Sequence, residues 1–190
     1  MNRKEQKEER RKQILFTALN LFVTKGYYET KITDIAEAAS MSTGLLFHYY
    51  ESKEALLVAL VGMGADGTKI ATQISEEGQN PDVFFTEFLK SLFDYSKTQP
   101  WVFQMFVLMG QVRRAGMPEE ARRIALSVNT IERSSEIIKN GQALGVFREG
   151  DPMLLSICFW TAVQGIMEEM AFDEKMESPN PEWIMAILRK

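Results

Sequence analysis

A chain of 190 residues that is 45% hydrophobic can fill one two-part core or two small ones. Its single cysteine, Cys158, and single histidine, His48, exclude an internal disulfide and a Cys/His metal cluster built by one chain, and they leave triad chemistry little support. The net charge of −4 is unevenly spread: residues 1–53 hold nine Lys/Arg against seven Asp/Glu and the remainder holds 13 against 19, so a polyanionic partner is expected near the N-terminus. Uninterrupted apolar runs of about 18 residues are absent, and the first seven residues are a mixed charge run without an apolar segment. A cytoplasmic chain with no membrane partner is the expectation.

The first helix is marked by Ile14, Leu15, Ala18, Leu19 and Phe22 at helical spacing and stops at Lys25-Gly26. A short helix through Asp34, Ile35, Ala36 and Ala39 follows, then a turn at Ser40-Met41 and a third helix with Ser42 as N-cap. Two short helices so close together predict a helix-turn-helix, with Phe22, Ile35, Leu46 and Tyr50 in its core. Ser52 caps a fourth helix whose stripe runs Leu56, Leu60, Met63, Ile70 and Ile74 and connects two domains. Gly62, Gly64 and Gly67 each cost that helix about 1 kcal/mol relative to alanine, which suits either a hinge or a close helix contact.

Beyond residue 76 the punctuation is Asn80-Pro81, Gln99-Pro100, Gly116-Met117-Pro118, Gly150-Asp151-Pro152 and Pro179-Asn180-Pro181, which predicts five more helices. The segment from Met153 to Val163 is apolar nearly all round, as in a helix buried on two sides. The expected class is all-α with about nine helices, divided into residues 1–53, a connecting helix at 54–75 and a second domain at 76–190.

Gly26-Tyr27, Thr30, Asp34-Ile35-Ala36, Ser42-Thr43-Gly44, His48-Tyr49-Tyr50 and Ser52-Lys53-Glu54-Ala55-Leu56-Leu57 resemble, in order and spacing, the signature of the tetracycline-repressor (TetR) family. A weaker echo runs from Gly141-Gln142-Ala143 through Gly145-Val146-Phe147 to Gln164-Gly165-Ile166. The resemblance implies a bacterial transcription repressor. Such a chain binds operator DNA as a homodimer and answers to a small-molecule effector, whose identity the sequence does not reveal. It requires no cofactor or metal and is not an enzyme.

Small residues at the start of a recognition helix let its backbone approach DNA closely, and helix amides and hydroxyls suit phosphate oxygens. Ser42, Thr43 and Gly44 meet that need, although Ser42 also serves simply as a cap. His48, Tyr49 and Lys53 are expected at the backbone on one side, with Thr30 and Lys31 on the other. Three residues depart from the family pattern: Ser40 replaces a turn glycine, Phe47 replaces a tyrosine whose hydroxyl meets phosphate, and Leu45, placed to touch a thymine methyl, replaces a small or hydroxylic residue. Lys31 likewise stands where the family has a capping Ser or Thr.

Aromatic and methionine residues gather in the second domain, and Met63, Trp101, Met105, Phe106, Met109 and Trp160 are candidates to line a lipophilic effector pocket. Gln164, with Glu168 on the same face, would supply polar contacts there or lie at a subunit seam. The last two helices are expected to pair with a second copy through Phe159, Ala162, Val163, Ile166, Met167, Met170, Trp183 and Ile187. Two other readings stay open: an interaction module that keeps the helix-turn-helix shape without specific DNA binding, and an enzyme using carboxylates alone.

Overall fold

The computed structural model describes residues 2–73, 80–173 and 175–190, with side chains omitted for 69–73. Ile74 and the Ile70 side chain, both expected on the fourth-helix stripe, lie outside the described residues, as does the expected domain boundary at 75–76. Among the described residues ten helical segments follow one another: α1 (Arg3–Thr24), α2 (Ile32–Ala38), α3 (Thr43–Tyr49), α4 (Lys53–Gln73), α5 (Pro81–Thr98), α6 (Trp101–Val112), α7 (Glu119–Leu126), α8 (Thr130–Ala143), α9 (Pro152–Phe172) and the five-residue α10 (Pro181–Met185). The only strand-like pairing among these residues is an isolated antiparallel bridge between Phe147 and Arg189. The expected all-α class is the one found.

Local chemistry sets the helix starts. An Asx residue followed by proline opens three of them. Asn80, Asp151 and Asn180 each accept a backbone N–H through Oδ1, from Asp82 at 2.9 Å, Met153 at 2.8 Å and Glu182 at 3.0 Å, while the proline occupies a position that needs no donor. Six described helices rather than five follow residue 76. The unanticipated break is at residues 127–129, between α7 and α8, where the Ser127 N–H donates to the Arg123 and Ile124 carbonyls at 3.1 Å. That break contains neither proline nor glycine, so residue type did not announce it.

Two apolar cores result. The first joins Ile14, Phe22, Ile35 and Leu46 to Leu57 and Leu60 of α4, and it continues into Leu108 and Val112 of α6 and Ala121 of α7. The second gathers Phe85, Leu89, Phe147, Phe159, Val163 and Met167 from α5, α9 and the segment after α8. Side-chain links reinforce the seam between the N-terminal helices and α6: Phe16 stacks on Trp101 at 5.2 Å, and Gln104 Nε2 donates to Asn20 Oδ1 at 2.9 Å. Tyr28 also donates its hydroxyl to the Gly116 carbonyl in the α6–α7 loop.

Close packing applies to only one of the three α4 glycines. A Cβ at Gly64 would sit 2.9 Å from the sulfurs of both Met105 and Met109, whereas Gly62 and Gly67 have nothing within 4 Å.

The predicted subunit face of α9 needs correction. Phe159, Val163, Met167 and Met170 are buried in the chain's own second core, and Ala162 and Ile166 are only partly exposed. The outward stripe is instead Leu154, Ile157, Cys158, Thr161, Gly165, Glu169 and Phe172. A helix that is apolar all round has no hydrophobic period, so its sequence did not reveal which side turns inward. Trp183, in contrast, is 72% exposed, and Ile187 is half-buried.

Candidate nucleic-acid interface

The first three helices hold α3 at the surface. Ile35 of α2 and Leu46 of α3 are fully buried against Ile14, Ala18 and Phe22 of α1, which fixes how the two short helices cross. Between them the chain reverses at Ser40, whose φ of 53° is in the left-handed region that glycine tolerates best. The Ser40 N–H donates to Glu37 O and the Met41 N–H to Ala36 O, both at 2.9 Å, closing α2. Serine therefore adopts the conformation expected of the family's glycine.

The start of α2 is ordered by Asp34. Its carboxylate accepts from the Lys31 N–H at 3.1 Å and pairs with the Lys25 ammonium, which bridges the end of α1 to α2. The hydrogen bond from Lys25, then that from Lys31, holds the Asp34 carboxyl below the usual carboxylate range. Lys31 thus caps through its backbone, with its side chain exposed.

In α3 the Ser42 hydroxyl accepts from the Leu45 N–H at 3.2 Å, so Ser42 is a helix cap and is also exposed. Beside it Gly44, Leu45, Phe47 and His48 are exposed and Thr43 and Tyr49 partly so. Leu45 at 43% and Phe47 at 48% are large apolar side chains held in water by a buried scaffold, which suits contact with a partner. Leu46 and Tyr50 face inward, and Arg11 lies 4.8 Å from the Tyr50 ring centre and donates to the Tyr49 carbonyl at the end of α3.

Two expected backbone contacts turn inward. Thr30 is fully buried, and its hydroxyl donates to Gly26 O at 2.7 Å and Leu21 O at 3.2 Å. The Lys53 ammonium donates to Tyr27 O and Thr30 O, each at 2.8 Å, and lies 4.4 Å from the Tyr27 ring centre. Desolvation holds the Lys53 pKa below its ordinary value, and burial raises the Tyr27 phenol to about 12. Lys53 therefore fastens the α1–α2 turn to α4. Its position in sequence resembles a phosphate ligand because a turn 23 residues away, whose Thr30 carbonyl together with that of Tyr27 accepts two of its three N–H groups, leaves no local mark.

A basic surface escaped residue-by-residue reading of α3. Arg3, Lys7, Arg10 and Gln13 of α1 form one wall of an open groove of about 1170 Å³, and His48 and Tyr49 contribute the other.

The candidate effector residues do not converge on one point. Met63, Met105 and Met109 pack with the first core around α4 and α6, and Trp101 stacks on α1 with its indole N–H donating to Gln99 at 3.0 Å. Trp160 donates to Ser134 at 2.8 Å and meets Phe88 edge-on in the second core. Gln164 joins Phe106 and Glu168, donating to the Phe106 carbonyl at 2.9 Å and to Glu168 at 2.7 Å, where α6 approaches α9 at Gly110.

A short helix projecting small, polar and apolar side chains from a buried two-helix brace has the shape of a helix-turn-helix. Residues 14–60 match the model for "Bacterial regulatory proteins, tetR family". Over 165 residues, 85% of this chain, it is 28% identical to the HTH-type transcriptional regulator YuxN of Bacillus subtilis (strain 168). That match spans 53% of YuxN, so the chain covers about half of that relative's length. The TetR-family regulator PfmR of Thermus thermophilus is 25% identical, with a TM-score of 0.69 and coverage of 91% of this chain and 93% of that one. AibR, solved with isovaleryl coenzyme A and operator DNA, has the same fold at 21% identity, with a TM-score of 0.71 over 93% of this chain and 94% of its own. The chain is therefore similar to TetR-family regulators, in sequence over residues 14–60 and in fold over most of its length.

Proposed function

We propose that this chain is a cytoplasmic repressor that binds a palindromic operator as a dimer and is released by a small lipophilic effector. The observation that carries the DNA reading is the exposed run Ser42, Gly44, Leu45, Phe47 and His48, held out by a helix pair whose inward residues Ile35 and Leu46 are fully buried. Ser42, Thr43 and Gly44 meet the backbone, with Lys31 across the groove and His48 and Tyr49 at the far end. Leu45 and Phe47 offer apolar contact to thymine methyls, which favours A·T-containing positions.

The outward stripe of α9 supports the dimer, with Leu154 at 60% and Phe172 at 68% exposure on a 21-residue helix. Pairing that stripe about a two-fold axis would present two α3 helices about 34–36 Å apart, one turn of DNA. An effector seated among α4, α6 and α9 would act on the first core, because α6 belongs to that core and docks on α1. That AibR was solved with both an acyl-coenzyme A and operator DNA supports an effector-responsive reading.

The test is selection of bound sequences from random duplex DNA, then a screen for small molecules that release the selected sequence. Recovery of a palindrome with half-sites about one helical turn apart is expected. Leu154→Glu/Ile157→Glu should sediment as a monomer and lose operator affinity. A wild-type monomer at micromolar concentration, or a pool with no enriched motif, would overturn the reading.

A further inference from the structure

Residues 2–10 are all exposed, so α1 stands clear of the core for more than two turns. A helix without a packed face is marginal in water, yet this one is closed at its start by a reciprocal cap. The Glu5 N–H donates to Asn2 Oδ1 at 2.9 Å, and the Asn2 N–H donates to Glu5 Oε2 at 2.8 Å.

Charge on the free-standing segment is sorted by face. Counted back from Ile14, which enters the core, helical spacing leads to Arg10, Lys7 and Arg3, and these three face the groove with Lys4 at its side. Glu5, Glu8 and Lys12 point away from it, while Glu9 is the one carboxylate on its wall. Among the described residues, Arg3, Lys4, Lys7 and Arg10 take part in no ion pair, and Arg10 donates only to Gln13, at 2.7 Å. Unpaired cations on one helix face, in a chain of net charge −4, make a surface for an extended polyanion.

The position of the groove identifies that polyanion. Its opposite wall is His48 and Tyr49, the end of the exposed helix α3, and Arg11 ties α1 to that end through the Tyr49 carbonyl. From Arg3 to Gln13 the helix rises about 15 Å, the axial length of about four phosphates on one DNA strand. We propose that Arg3, Lys7 and Arg10 form a phosphate-binding rail that grips the DNA backbone outside the bases met by α3 and lengthens the operator footprint. This rests on the reading of α3 as the DNA-contacting helix.

The experiment compares the full-length chain with Arg3→Gln/Lys7→Gln/Arg10→Gln, using fluorescence anisotropy on the selected duplex across a potassium chloride series. Each lost phosphate contact flattens the slope of log K against log salt by about 0.9, so a decrease of about 2.7 per chain is expected with base preference unchanged. Trimming the duplex beyond the palindrome should weaken the wild type and leave the triple variant unaffected. Lys12→Gln, on the opposite face, is expected to leave the slope unchanged. An unchanged slope in the triple variant overturns the rail, as does equal flattening per residue by Lys12→Gln, which would reduce the effect to net charge. If the wild type shows no sequence preference but the triple variant still flattens the slope, the rail stands and the reading of α3 falls.

Discussion

Gly141→Ala and Gly62→Ala make the same chemical change inside a helix, and the structure assigns them opposite signs. Each gains about 1 kcal/mol from replacing glycine with alanine in a helix interior. At Gly62 the new methyl meets nothing within 4 Å, so that gain should appear in full. At Gly141 it would lie 2.2 Å and 2.6 Å from two carbons of the Phe147 ring, which is 1% exposed and packed beside Phe85. The backbone holds the ring there, because the Val146 and Phe147 N–H groups donate to the Gly141 carbonyl at 3.0 and 3.2 Å after a turn through Gly145 at φ 75°. Overpacking costs about 1–3 kcal/mol, and complete expulsion of a buried phenylalanine about 3–5 kcal/mol. Net of the propensity gain, overpacking leaves a loss of up to about 2 kcal/mol at Gly141 and expulsion of the ring about 2–4 kcal/mol, so a loss of about 2 kcal/mol is expected there against a gain of about 1 kcal/mol at Gly62. At fixed protein concentration, a chain of this size should show a Tm about 4–8 °C lower for Gly141→Ala and about 2–4 °C higher for Gly62→Ala. Thermal unfolding followed by circular dichroism in the far ultraviolet measures both. Equal upward shifts would refute the account of why Gly141 lies beneath Phe147.

Three further outcomes are expected. Lys53→Met should cost about 1–3 kcal/mol through loss of its bonds to Tyr27 O and Thr30 O, while the salt slope of DNA binding stays at the wild-type value; a slope lower by about 0.9 would make Lys53 a phosphate ligand after all. Ser40→Gly relieves the left-handed strain at φ 53° but adds freedom to the unfolded chain, so a net gain of about 0.5 kcal/mol should appear in urea unfolding, and destabilisation would contradict the strain. The depressed Asp34 pKa stabilises the fold above the ordinary carboxylate pKa, and that contribution is lost as pH falls below about 4. Asp34→Asn should therefore lower Tm at neutral pH and make it less sensitive to acid; parallel Tm-against-pH curves for the two proteins would count against the Lys25–Asp34 link.

The N-terminal unit was legible in sequence because Ile14, Ala18 and Phe22 recur every four residues along α1, and Ile35 and Leu46 are the apolar centres of the two short helices; all five are buried. Ser42, Ser52, Asp151 and Gly26 marked real helix ends because capping is a local interaction. Face assignment in α9 failed for lack of a period, and the α7–α8 break passed unseen for lack of a breaker residue. Thr30 and Lys53 misled because hydroxyl and ammonium groups look alike to a sequence reader whether they serve a phosphate or a buried carbonyl. The cationic face of α1 was available in principle, since Arg3, Lys7 and Arg10 stand four and three residues apart, but it shows only when charges are sorted by helical angle rather than counted.

The first core also bears on how chains of this fold recombine. Ile14, Phe22 and Leu46 share one apolar cluster with Leu108, Val112 and Ala121, so a cut after residue 53 would pass through the hydrophobic interior rather than around it. A chimera that grafts the first 53 residues onto a different helical C-terminal domain inherits half of a fitted surface and must find the other half in its new host. Exchanges that carry α6 and α7 along, or that match Phe16 to an aromatic partner at the position of Trp101, should yield soluble hybrids far more often than exchanges at the helix-turn-helix border. The portable module in this fold is defined by its packing and is discontinuous along the chain.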